Sequence, residues 1–192
     1  MKRFAFLTGI LALVAPLALA QTSTWKSDPA HSEVDFSIKH MSVSNVHGRF
    51  GNVAATIVLN GSDITKSTVT ATIDVSTIDT GVSQRDADVK SDSFFDVARF
   101  PSATFTSTSV AKSASGLTVN GNLTLHGVTK PVVLTVEGPS GPVEGMQDHK
   151  QHSGFSASTT LSRTAFNIGT TFPPAIVGDD VKLTIELEVV KQ

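Results

Sequence analysis

The side chains best suited to chemistry in this 192-residue chain are its six histidines, because imidazole is the group that ordinarily changes charge near neutral pH and ligates metals. His149 and His152 lie beside Asp148. Two imidazoles three residues apart can share an ion on a helix. Gly145, Gly154 and the polar residues between them make this stretch a loop instead, and no third ligand is placed, so no metal site is assigned. His31 and Ser32, with Asp28 or Asp35, supply the residue types of a hydrolase triad. There is no Gly-x-Ser-x-Gly elbow, and strand alternation turns His31 and Ser32 to opposite faces, so no nucleophile–base pair is expected. The glycines form neither a G-x-G-x-x-G fingerprint nor a P-loop. With no cysteine, thiol chemistry and disulfides are absent as well.

Three arginines carry a different signal. His47-Gly48-Arg49-Phe50-Gly51 reads as a turn into a long strand, where Arg49 is either a surface arginine beside two turn glycines, the favoured reading, or a contact for an anionic head group. Arg85 and Arg163 share its two readings: each either pairs with an aspartate or stands at the mouth of a cavity. His126-Gly127 reads as a strand end and turn, with Thr129-Lys130-Pro131 opening the next strand.

The elements that must position these groups are strands. Val34, Phe36 and Ile38 alternate with polar neighbours, as do Val53, Ala55, Ile57 and Leu59, and then Val69, Ala71, Ile73 and Val75. The pattern resumes at Ala103 and Phe105, then at Leu117, Val119, Leu123 and Leu125, at Val132, Leu134 and Val136, at Phe155, Ala157, Thr159 and Leu161, and from Val181 to Val189. Trp25 to Asp28 reads as a short strand or arm closed by Asp28-Pro29. Asn60-Gly61 is a hairpin signal, and alternation running through Asn120-Gly121 predicts a bulge or bend at Gly121. About eight antiparallel strands, each with one apolar face, must bury those faces in a barrel or a two-sheet sandwich. The inward residues are small, which favours a barrel with a cavity.

Gln84 to Pro101 breaks the period. It carries Arg85, Asp86, Asp88, Lys90, Asp92, Asp96 and Arg99 together with Phe94, Phe95 and Phe100. Ser83 and Asp86 suggest a capping box, and Asp86 and Lys90 are spaced to pair on one helical face. A short helix near 83–95 is expected, closing one end of the barrel as a plug.

Lys2 and Arg3, the apolar run Phe4 to Leu19 and the small-x-small Ala18-Leu19-Ala20 predict a cleavable signal peptide over 1–20, too short and wrongly flanked to remain as a transmembrane helix. A single domain over 21–192 follows from the length. Export of a cysteine-free chain fits a periplasm. The charge balance of 15 basic to 17 acidic side chains becomes still more acidic once Lys2 and Arg3 are removed, which argues against a nucleic-acid partner.

Several segments together resemble a known family. Asp28-Pro29-Ala30-His31-Ser32-Glu33-Val34-Asp35-Phe36, then Lys39-His40 and Gly48-Arg49-Phe50, resemble the opening of the YceI-like, polyisoprenoid-binding proteins. Arg85-Asp86 with Ser91 to Asp96 and Arg99-Phe100-Pro101 are similar to the family's central signature. Leu123 to Val132 and Gly154-Phe155-Ser156-Ala157 with Arg163 resemble its later ones. The pattern departs after Arg163, where Ala165-Phe166-Asn167 replaces an acidic residue and Phe-Gly. The resemblance implies a lipocalin-like, eight-stranded antiparallel barrel whose interior takes a polyisoprenoid or other amphiphilic lipid, export in bacteria and, in many members, a homodimer. It implies no catalytic residue and no cofactor. On this reading Val34, Phe36, Ile38, Ala55, Ile57, Ala71, Ile73, Phe105, Leu123, Leu125 and Phe155 line the cavity, with Arg49, Arg85 and Arg163 at its mouth. The rival expectation is a stress-related structural or interaction protein with a filled core; a hydrolase built on His31 and Ser32 ranks behind both.

Overall fold

The computed structural model describes residues 22–192; the expected leader and its cleavage after Ala20 lie outside the described residues. Nine strands run β1 (Thr22–His40), β2 (Ser44–Phe50), β3 (Val53–Asn60), β4 (Thr68–Asp74), β5 (Ser102–Ser113), β6 (Gly116–Leu125), β7 (Val128–Glu144), β8 (Gln151–Ser162) and β9 (Val177–Lys191). From β3 onwards each strand pairs antiparallel with the next, and β9 returns to pair with β1. β2 and β3 lie end to end along the other edge of β1, with Phe50 opposite Val34 and Thr56 opposite Lys26. The nine segments therefore fill eight positions around a closed antiparallel barrel; alternation allows a barrel or a sandwich, and the barrel is the one that the small inward residues favour and the family resemblance implies. No helix among the described residues is long and apolar enough to cross a membrane.

Alternation does the sorting. Val53, Ala55 and Ile57 of β3 are buried while Ala54 between them is exposed. Trp25, Ile57, Phe105, Val119 and Val189 bring five strands into one core cluster. Each fully buried side chain of this size is worth about 1.5–3 kcal/mol relative to exposure.

Four local expectations are corrected by backbone hydrogen bonding. Trp25 to Asp28 is strand, but it does not close at Asp28-Pro29, since β1 continues to His40. It bows out between Ser27 and Ser32, where the register with β9 shifts. Ser27 repairs the gap: its hydroxyl donates to the Val53 carbonyl at 2.6 Å and accepts from the Ala55 amide at 2.8 Å. Asn60-Gly61 is not a two-residue hairpin. The Asn60 side chain accepts from Ser62 and Asp63 amides, opening a longer connection with a 3-10 turn at Ile64–Lys66. His126-Gly127 does make a tight hairpin, where φ is 50° and 72° and Leu125 pairs with Val128, the left-handed pair that suits strand twist. His47 to Arg49 is strand, within β2, rather than turn. The irregularity expected at Gly121 is present, but the extra residue belongs to the facing strand, between Ser107 and Ser109. The Phe105 ring lies where a Cβ on Gly121 would be.

The charged segment forms helix α1 (Ser83–Lys90), shorter than expected. Ser83 makes no cap; Val82 precedes the first turn with no side-chain bond. Asp86 instead accepts from the amide and hydroxyl of Thr80, at 2.8 and 2.6 Å. Phe94 and Phe95 follow the helix in irregular backbone, so they, and not α1 itself, supply the apolar cover.

Candidate functional site

The barrel is not filled by its own side chains. Two apolar chambers lie along its axis. The larger, about 490 Å³, opens beneath α1 and the β8–β9 connection; the smaller, about 130 Å³, lies deeper and is lined almost wholly by carbon. Val34, Ile73, Leu123, Leu161 and Leu183 border both and form the waist between them. Polar side chains reach the larger chamber mainly from the rim: Lys39, His40, Thr80, Arg85 and Asp88. An apolar bore with a polar entrance can hold a long hydrocarbon and orient one polar end.

Aromatic rings roof the outer chamber. Phe94 from the segment after α1 stacks on Phe172 of the β8–β9 connection at 4.8 Å, and Phe95 meets Phe50 edge-on at 5.7 Å, with Phe36 behind it at 5.6 Å. Gly169, at φ +59°, sits under Phe94; a Cβ there would stand 2.8 Å from the ring. Phe100 does not join them. It turns outward against His126, ring centroids 4.6 Å apart.

The two segments that make the roof are held by polar clamps. On one side Arg85 donates from Nε and Nη2 to the hydroxyl and carbonyl of Thr80, at 2.9 and 2.8 Å, while Asp86 grips the same residue. Arg85 and Asp86 thus anchor through Thr80. The two hydrogen bonds from Thr80 hold the Asp86 carboxyl below its ordinary range. On the other side Arg163 is only 4 % exposed and donates to five carbonyls: Gly178 at 2.9 Å, Ile168 at 2.9 Å, Gly169, and Phe172 and Val177 at 2.7 Å each. Burial lowers its pKa, and Asp179 acts in the opposite sense. Asp179 accepts from the amide and hydroxyl of Thr164 at 3.0 and 2.7 Å. Its carboxyl lies below the ordinary value because its hydrogen bonds from Ser162 and Thr164 outweigh desolvation, the largest single influence and one that pushes upward.

The residues expected to line the cavity divide accordingly. Phe36, Ile38 and Leu125 face the outer chamber, Ile57, Ala71, Phe105 and Phe155 the inner, and Val34, Ile73 and Leu123 both. Ala55 is buried but borders neither chamber. Arg49 is on the outside, near Glu33 at 3.8 Å and Asp79 at 3.4 Å, because β2 turns it away from the bore. Arg85 borders the outer chamber and keeps Nη1 outside the Thr80 clamp. Arg163 borders it too, at the mouth, with its donors spent on backbone carbonyls. Leu161, Val181 and Leu183 line the bore as well, and their alternation was visible. Phe172 and Ile168 lie in an aperiodic loop that offered no signal.

His31 and Ser32 do point apart. Ser32 is buried and its hydroxyl exchanges hydrogen bonds with the Glu188 backbone at 3.2 Å, whereas the His31 ring is exposed and contacts Asp28 at 3.0 Å. His149 and His152 separate too: His149 lies 3.4 Å from Glu144, and His152 turns to Asp148 and Glu188 on the outer wall. Hydrogen bonds to Asp148 and then Glu188 raise the His152 pKa, and the one to Asp28 raises that of His31.

Residues 25–189 match the YceI-like domain family. The chain is 38% identical over 165 residues to protein YceI of Salmonella newport (strain SL254), covering 84% of this chain and 83% of that protein. Among solved structures it is similar to the YceI protein of Campylobacter jejuni, with 31% identity and a TM-score of 0.70 over 81% of this chain and 90% of that one. A polyisoprenoid-binding domain from Saccharophagus degradans shares the fold, with a TM-score of 0.62 and 16% identity over 90% of this chain and 100% of the domain.

Proposed function

This chain belongs to the YceI-like family, and we propose that it is a periplasmic binding protein that sequesters or carries a long-chain isoprenoid or similar amphiphilic lipid. One observation carries the reading: a two-chamber apolar bore whose polar groups are concentrated at the mouth. The tail lies past the Val34–Leu183 waist and the head stays near Arg85 and Lys39. Each methylene drawn from water contributes about 0.8 kcal/mol, so several isoprene units outweigh the cost of ordering one flexible chain. The Saccharophagus domain of the same fold is described as polyisoprenoid-binding, and the basic, then apolar, then small-residue pattern over 1–20 supports export. The chemistry required is non-covalent, so the reading assigns neither a catalytic residue nor a cofactor.

Native mass spectrometry and solvent extraction of purified protein, followed by loading with a prenyl quinone, test this. One lipid per chain is the expected result. Protein that is consistently lipid-free and takes up no prenyl compound would sink the proposal. Fractionation of expressing cells checks the compartment, with recovery in the periplasm expected.

A further inference from the structure

The outward bow in β1 has a counterpart across the seam. Asp28 and His31 leave the ladder there and meet Glu188, which projects from the outer face of β9. His31 Nδ1 lies 3.0 Å from Asp28 Oδ2 and 3.9 Å from Glu188 Oε2, and the three donor atoms all fall within 4.8 Å of one another. Ligands on a tetrahedral ion with bonds of about 2.0–2.2 Å stand about 3.3–3.6 Å apart, so small side-chain rotations bring this trio onto one centre.

The donors are also held from behind. The second oxygen of Asp28 accepts the Ala30 amide at 2.9 Å, which leaves Oδ2 for His31. The second oxygen of Glu188 meets His152 Nδ1 at 2.7 Å, and His152 Nε2 meets Asp148 at 3.0 Å. Carboxylate-to-imidazole supports of this kind fix ligand orientation around metal ions. The fourth direction faces an open groove of about 950 Å³ on the barrel wall, bordered by His31, Glu144, His152 and Glu188.

We propose that Asp28, His31 and Glu188 form a surface site for a borderline divalent cation such as Zn²⁺, with His152 and Asp148 as positioning residues and solvent completing the coordination. One imidazole with two carboxylates suits Zn²⁺ better than Mg²⁺ or Ca²⁺, which prefer all-oxygen shells. The exposure of His31 makes the ion exchangeable. The site is independent of the bore: it staples β1 to β9 from outside, away from the lipid mouth.

The test uses tag-free chain, stripped with chelator and titrated with Zn²⁺ by calorimetry, with Co²⁺ absorption as a second readout. The expected result is one ion per chain, an intense tetrahedral-type Co²⁺ spectrum and no competition from millimolar Ca²⁺. His31→Asn and Glu188→Gln should each lower Zn²⁺ affinity at least tenfold, while His149→Asn leaves it unchanged. His152→Asn should lower it severalfold and alter the Co²⁺ band shape, which a remote packing change would not do. Circular dichroism of the metal-free variants confirms folding; should His31→Asn misfold, Glu188→Gln decides alone. No binding at millimolar Zn²⁺, binding indifferent to Glu188→Gln, or binding lost only in His149→Asn would each overturn the proposal.

Discussion

The two ends of the barrel hold themselves together by different means. At the mouth, long connections cross the opening and are pinned by side chains that bond to backbone: Arg163 to five carbonyls, Arg85 and Asp86 to Thr80, Asp179 to Thr164. Deeper in, Trp25, Phe105 and Val189 hold the wall by apolar contact. The consequence is a division of labour. Apolar packing sets the stability of the cylinder, whereas a few polar clamps decide whether its open chamber keeps a shape.

Arg163→Ala should test that division most severely. It leaves buried carbonyls without donors and should lower unfolding free energy by about 3–5 kcal/mol, with chemical denaturation as the measure; fast exchange of amides over 167–178 in the surviving fold should accompany it. A loss no greater than that of a surface substitution would show that the loop is held by other means. Val189→Ala, in the wall, should cost about 2 kcal/mol and leave mouth exchange unaltered, which is the opposite signature. Leu161→Trp fills the waist and should cut uptake of long prenyl tails more than tenfold while short tails still bind in the outer chamber, at a stability cost of about 1–3 kcal/mol.

The smallest effect is that of acid. The carboxyls of Asp86 and Asp179 have folded pKa values below their unfolded ones. Their contribution is therefore complete above the unfolded value, about 3.9, and disappears as pH falls through the lower folded value. Below about pH 4 the mouth should loosen before the wall, so a fluorescent lipid analogue is released while far-ultraviolet circular dichroism is still native. Coincident loss of both signals would contradict the separation of the two regions.

The same contrast explains what could be read from the residues alone. Period-two alternation specifies the strands and their inward face, though not a barrel over a sandwich, so Phe36, Ile73, Leu123 and Phe155 could be placed on the buried face without coordinates. Clamps have no period. Arg163 looks like any surface arginine until the loop from Ile168 to Gly178 folds back around it, and Phe172 acquires its role only by stacking on Phe94. Turn chemistry misled at Asn60-Gly61, which has the usual hairpin residues but whose Asn60 side chain captures the following amides, and not at His126-Gly127, which reads as a turn and makes a tight one. The juxtaposition of His31 with Glu188 depends on closure of the barrel, and no local pattern contains it.

That closure joins residues far apart in the chain; Ser32 and Glu188, bonded across the seam, are separated by 156 positions. Among the described strands every other pairing is far more local, linking consecutive strands or, for β1 with β3, strands separated only by β2. Pairing of such high contact order is slow because the loop entropy must be spent before the contact forms. The cylinder should therefore exist first as a curled open sheet with both edges bare, and pulse-labelled hydrogen exchange should find the β1 and β9 amides protected last. A nascent chain is most exposed to misassembly with its neighbours during that interval.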